Sequence, residues 1–500
     1  MKKLLSVLLA VLLVMSLASL PAAAAEPKIA RIAETWAYTS LDAHQGDPAW
    51  QTSPYGMSET LFRVDENLAV QPLLAKGYEV SEDGLTWTVT INEKAAFSNG
   101  KTLTADMAAR NLQRLASVNT SFAYLGDYEY EAADEKTLVI KTAELVPTMI
   151  SSLTSPETAM IDLDDTKDFD NDPIYTGPFV LKSFEPEGTV EVVRNEKYWN
   201  GKAKLDGAIF YHMSDEDSKV MAMQSGEIDG YVNVGAAAKE IFSLDPDTYT
   251  LTDNATTRLQ FYCLNENRLS DNVRKAINLA VDCDAISEFL SGTNTPAVGM
   301  FKTSAPYGKV TKPAADPAAA EAALKADGYT KNAKGFYEKD GKVLKLDIWL
   351  YNARSLDSIA VVMQQQLKAI GIDSEQHPVE DPDSTYVKTG DYDIALYCFI
   401  ADKAGDPYYG INYLFRAGGT WSVGGFEDAD VEAMIDELYK EPDVSRRAEL
   451  ANKIVQAVID DNAFGFVGLI NSVTVTANGL HDMGEHASMS YYRINADTDF

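Results

Sequence analysis

Between residues 80 and 115 the chain changes from a period of two to a helical period. Leu85, Trp87, Val89 and Ile91 alternate with Thr86, Thr88 and Thr90, the pattern of a strand with one buried face. Asp83-Gly84 before it and Asn99-Gly100 after it are turn dipeptides, in which glycine supplies the positive φ of a tight turn. Thr104 stands as a helix N-cap, with Asp106 in the first turn and Met107, Ala108, Leu112 and Leu115 at helical spacing. The helical period returns at Leu356–Ile370, where Ile359, Val362, Met363, Leu367 and Ile370 share a face. It also predicts helices at Asp430–Tyr439, at Ser445–Ile459 and after Asp271, the last burying Val273, Ala276, Ile277, Ala280 and Val281. Gly371 predicts a helix stop, with a strand restarting at Ile372-Asp373. Short strands alternate with helices throughout and no repeat is visible, so the expected fold class is α/β, in separate lobes.

Five hundred residues exceed one hydrophobic core and predict two or three lobes. At the N-terminus, Lys2-Lys3, an apolar run from Leu4 to Leu20, and Pro21 followed by four alanines read as a signal peptide cleaved after Ala25. An uncleaved anchor helix is the competing reading, and the alanines with Glu26-Pro27 favour cleavage. No cysteine lies near the cleavage zone, so lipoprotein attachment is not expected, and a secreted or periplasmic protein is. The formal charge of −32 opposes binding to nucleic acid or anionic lipid. Three cysteines, Cys263, Cys283 and Cys398, cannot all pair. Buried thiols are the simpler reading, while a Cys263–Cys283 or Cys263–Cys398 bridge stays open.

Enzyme signatures are missing: no GxSxG, HExxH or GxGxxG occurs. Gly100-Lys101-Thr102 ends like a phosphate loop, but Ala95 stands where its leading glycine belongs. No catalysis and no cofactor are expected. His481 and His486, with Asp482 and Glu485, could gather a divalent ion, yet no regular element fixes their geometry and a solvated loop is the simpler reading. His44, His212 and His377 are isolated and read as surface or strand-end positions. No metal site is assigned.

The 80–115 segment resembles the "SxDGxTWTFxL…FSxGxPxxAxD" cassette of family 5 extracellular solute-binding proteins, the peptide- and nickel-binding components of ABC importers. Further segments follow in the family's order: Tyr175-Thr176-Gly177-Pro178-Phe179, Arg194-Asn195-Glu196-Lys197-Tyr198-Trp199, Ser225-Gly226-Glu227-Ile228-Asp229, Leu264-Asn265, Val273-Arg274-Lys275-Ala276-Ile277, Ala280-Val281-Asp282, Asp391-Tyr392-Asp393 and Asp406-Pro407. The resemblance implies a two-lobed periplasmic-binding-protein clamshell of the large type, with two hinge strands and ligand held between the lobes. Residues 26–258 plus 471–500 would form lobe I, with an extra subdomain at about 60–172, and residues 259–470 lobe II. Closure about the hinge would trap the ligand.

The resemblance also implies a site. Asp402 falls where peptide-binding members pair an aspartate with the ligand ammonium, and Arg354 resembles the arginine that takes the ligand carboxylate. A guanidinium fork suits a carboxylate, and a buried zwitterion needs both partners. Trp50, Tyr124, Tyr408 and Trp421 are expected as aromatic walls. The chain departs from nickel-type members at Ser155-Pro156-Glu157, at Ala401 and Gly405, and at Gly418-Gly419-Thr420. The expected function is therefore capture of a small zwitterionic solute, a short peptide first, and its delivery by a monomer to ABC permease subunits. A nickel or other metal chelate is the alternative ligand. An enzyme acting on a cleft-bound peptide is the reading from another class.

Overall fold

The computed structural model describes residues 27–402, 405–483 and 493–500. The leader with its cleavage zone, and Glu485 and His486 of the two-histidine loop, lie outside these residues. Among the described residues, no helix is long and apolar enough to cross a membrane.

An antiparallel pair of unusually long strands, Tyr249–Leu264 and Phe464–Ala477, runs through the middle of a mixed eleven-stranded sheet. On one side the sheet continues through Ile394–Ile400, Lys345–Tyr351 and Asp373–Val379, the last two parallel in register from Lys345 opposite Asp373 to Tyr351 opposite Val379. On the other it continues through Gly230–Val232, Ile29–Glu34, Gly207–His212, Val190–Arg194 and Phe179–Phe184. The long pair changes register between Ala255 and Leu259. Such a shift bends a strand and increases its local twist. Thr256 Oγ1 steadies it by donating to Ile470 O at 2.7 Å and accepting from Arg258 N at 3.1 Å.

The strand Thr86–Ile91 forms an antiparallel hairpin with Ala75–Val80, inside a separate four-stranded sheet completed by Thr137–Lys141 and Glu129–Ala132. Trp87, Val89 and Ile91 are buried as their alternation predicts. Helix Ala105–Val118 covers this sheet, and the Thr104 hydroxyl accepts from Met107 N at 3.2 Å. Helices Asp271–Ala280, Leu356–Ile370, Ala429–Lys440 and Val444–Asp461 form where the 3.6-residue period places them. Gly371 ends its helix at φ +97, where an added Cβ would also meet Gly335 O at 2.6 Å.

The family-like motifs resolve into buried ties between distant segments. Tyr198 Oη and Trp199 Nε1 donate to the two carboxylate oxygens of the buried Glu59 at 2.6 and 2.8 Å. Asp229 accepts from the backbone and guanidinium of Arg31, joining Ser225–Asp229 to the first strand. Asn265 Nδ2 donates to Gly390 O and Tyr392 O. Asp406 takes Arg447 in a two-point ion pair at 2.7 and 2.8 Å. At Gly177 an added Cβ would lie 2.3 Å from Gly56 O. These residues hold the scaffold together.

Cys263 and Cys398 lie buried as free thiols, and Cys283 is a half-buried free thiol. His212 ends a strand and is exposed. Two histidines depart from the expectation: His377 is half-buried within strand Asp373–Val379, stacked on Trp349, and His44 is buried, its Nε2 2.9 Å from Ala159 O and its Nδ1 2.9 Å from an Arg114 nitrogen. An isolated histidine after Asp42 carries no sequence signal of the Arg114 helix that packs over it.

Candidate functional site

A cleft of about 730 Å³ opens where the long pair changes register. Thr256, Arg258, Ile470, Asn471 and Ser472 line it from the two long strands. The segments after the first strand contribute Trp36, Tyr38, Asp47 and Trp50, and Arg354 comes from the turn before helix Leu356–Ile370. Trp36 is 69% exposed, a large apolar surface left open to solvent beside a cavity.

Arg354 and Ser355 both adopt left-handed backbone, at φ +58 and +59. That conformation costs a non-glycine residue roughly 1–2 kcal/mol and persists only where surroundings enforce it. Here the buried Gln260 enforces it: its Nε2 donates to Arg354 O at 2.7 Å, while its Oε1 accepts from Asn294 Nδ2 at 2.8 Å. Arg258 lies within the register shift and lines the same cavity. Both guanidiniums act on the buried Cys398 thiol, which burial nonetheless pushes up to about 11. Two arginines thus gather at one end of the cleft.

Four further charged residues of the lining, Glu34, Arg493, Glu216 and Lys219, are engaged within the protein. Arg493 Nε donates to Glu34 Oε1 at 2.5 Å, both side chains nearly buried. Glu216 accepts from Tyr231 Oη and Gly235 N. Lys219 donates to Thr35 Oγ1 at 2.6 Å, and burial lowers its pKa. Asp47 is exposed at the cavity.

Of the six residues expected at the site, Arg354 and Trp50 line this cleft. Trp50 Nε1 also donates to Glu157 at 3.1 Å, and Tyr124 lies within electrostatic reach of the same carboxylate, packed among Phe122 and Tyr128. Tyr124 itself is outside the cavity lining, as are the other three. Trp421, expected as a wall, is fully buried against Phe261 and Tyr397, ring centroids 5.1 and 5.3 Å away. Asp402 is buried and accepts from Tyr307 Oη, Gly405 N and Asp406 N, so it closes a loop. Tyr408 sits on helix Tyr408–Phe415, bonded to Asn412 and packed on Tyr439. Proximity in sequence to a glycine-rich loop misplaced Trp421, because its contacts come from strands far away in the chain.

Sequence reasoning missed Arg258 and Trp36. Arg258 did leave a signal, as the one cation in the strand Tyr249–Leu264; the register shift in which it lies is a tertiary property.

Among the described residues, Asp347, Glu375 and His377 place ligand atoms within 4.8 Å of one another on two parallel strands. Their carboxylates face Arg268 and Lys345, and His377 Nε2 lies 3.0 Å from Asp347, so each member already has a partner within the protein. None of the described cleft-lining residues is His or Cys. A wider groove of about 920 Å³ runs past Glu59 to Asp482 and Ile494, lined by scattered charges that converge on no point.

Residues 69–422 match the model of a family described as bacterial extracellular solute-binding proteins, family 5 Middle. The nickel-binding protein NikA of Staphylococcus aureus is 25% identical over 429 residues, covering 85% of each chain. The glutathione-binding protein GsiB of Salmonella typhi is 27% identical over 373 residues, 71% of this chain and 70% of that one. The crystal structure of a nickel ABC transporter protein from Bacillus halodurans superposes with a TM-score of 0.88 at 29% identity, over 95% of this chain and all of that one. The fold is the two-lobed α/β fold of such binding proteins.

Proposed function

Since the chain belongs to the family 5 bacterial extracellular solute-binding proteins, we propose that it captures a small zwitterionic solute, a short peptide first, for an ABC permease. The solute sits in the cleft at the register shift, and residues 26–258 with 471–500 close on residues 259–470 about the long strand pair. The extra subdomain spans about residues 60–172. The buried clusters support this division: two draw almost wholly on residues between Leu259 and Leu469, and a third runs from Leu61 to Met160. The protein works outside the cytoplasm after cleavage near Ala25, and its role ends with release of an unchanged ligand.

The observation that carries the reading is the pair Arg258 and Arg354 in one cleft with exposed Trp36 and with Trp50. Two guanidiniums meet a carboxylate with parallel charge-assisted hydrogen bonds, and the indoles cover apolar side chains. Asp47, in place of Asp402, is the carboxylate available to a ligand ammonium. A metal held in an amino-acid chelate is the second reading, favoured by the likeness to NikA and to the Bacillus halodurans protein. With no His or Cys among the described lining residues, such a metal would enter through its chelator's carboxylates.

Calorimetric titration tests both, using trialanine, its C-terminal amide, its N-acetyl form, and nickel with and without histidine. Arg354→Ala is expected to weaken free-carboxylate ligands at least tenfold and leave the amide's binding unchanged. Equal binding of all forms by wild type and variant would remove Arg354 from the site.

A further inference from the structure

The hairpin Phe62–Val64 and Val70–Pro72 carries Leu68 at its tip. Leu68 is 1% exposed, yet what buries it is not its own subdomain. It belongs to a hydrophobic cluster whose other buried members all lie between Leu259 and Leu469. The tip is stiff. Asp65 Oδ1 accepts from Asn67 N and Ala69 N, both at 2.9 Å, Leu68 N donates to Asp65 O at 3.0 Å, and Leu68 holds φ +63.

Its seat is equally well held. Gly405, at φ +74, passes so close that an added Cβ would stand 2.7 Å from Val64 Cγ1 and 2.9 Å from Leu68 O. Asp402 caps that loop through Gly405 N and Asp406 N, and the Asp406–Arg447 pair anchors it. Lys302 Nζ reaches Glu66 O at 3.4 Å. Beside the tip, Val70, Tyr78, Trp87 and Ile150 face Tyr307, Pro407 and Val444 across a crevice of about 20 Å³.

We propose that this hairpin is a latch: Leu68 seats in the second lobe when the cleft closes and leaves it when the cleft opens. The proposal rests on the two-lobe reading above. A cross-cleft apolar contact independent of the ligand sets the closed fraction of the empty protein, and ligand affinity scales with that fraction. Asp402 then serves the seat, which accounts for its burial away from the cavity.

Small-angle scattering of ligand-free wild type, Leu68→Ser and Gly405→Ala proteins tests the latch, with circular dichroism to establish that each is folded. Both variants are expected to show a larger radius of gyration than wild type. They should also bind trialanine or nickel–histidine, whichever wild type takes up, about tenfold more weakly, with the wild-type radius regained at saturation. Radii and affinities equal to wild type overturn the latch. So does a lowered melting temperature with an unchanged radius, which makes the contact a fixed part of the fold. Wild type that binds neither probe counts against the zwitterion and chelate readings instead, and the ligand-free radii still decide the latch.

Discussion

Glu59 and His44 are both fully buried, and they tie the protein's stability to pH in opposite senses. Burial raises the Glu59 carboxyl to about 7 from 4.5, although Tyr198 and Trp199 both donate to it. A folded-state pKa above the unfolded one contributes stability that is complete below pH 4.5 and is lost as pH rises through 7. The difference corresponds to about 3 kcal/mol. Burial, reinforced by Arg114, depresses His44 from 6.5 to about 4, so its contribution is complete above 6.5 and is lost as pH falls through 4. Glu59→Gln should therefore melt higher than wild type at alkaline pH, with the gap closing toward pH 5; a pH-independent gap in calorimetric scans would separate the residue from any ionisation. For Asp402, whose oxygens serve Tyr307, Gly405 and Asp406, Asp402→Ala is expected to lower the melting temperature by a few degrees. It should weaken trialanine and its N-acetyl form alike. Selective loss of the free-amine peptide would return Asp402 to the ligand.

At the scale of elements, the turn between strand Lys345–Tyr351 and helix Leu356–Ile370 depends on a strand it does not follow. Gln260 holds the Arg354 carbonyl from the adjoining long strand. Gln260→Leu, which touches no cleft-lining side chain's charge, is expected to weaken carboxylate ligands several-fold by freeing the Arg354 backbone; unchanged affinity by titration would show that the helix alone positions it. The elements themselves were readable from the chain because periodicity and caps are local: Thr104, Gly371 and the four predicted helices stand where those signals are. The cleft was not readable to the same degree. Arg354 could be placed at the cavity from its position beside a helix, but Arg258 reaches the lining from a stretch where strands about two hundred residues apart change register. Trp421 and Asp402 look like site residues in sequence, and only the packing of remote strands and of Tyr307 assigns them elsewhere.

At the scale of the whole molecule, one sheet serves both halves, and the antiparallel pair Tyr249–Leu264 and Phe464–Ala477 is the part common to them. Saturation with a bound solute should compact the protein in scattering. It should also slow amide exchange at Thr256–Arg258 and Ile470–Ser472 more than at Tyr249–Asp253; uniform protection along both strands would argue against bending at the shift. The net charge of −32 adds a general preference for cations in the surrounding solution, against which Arg258 and Arg354 at one end of the cleft stand as a local reversal of sign. One of them, Arg258, is itself part of the irregular stretch where the strands bend. In the proposed site, recognition and articulation share a residue. On that reading, an engineer who replaced Arg258 to accept a different cargo would also alter how readily the jaws move, whereas a change at Arg354 would leave the bend alone.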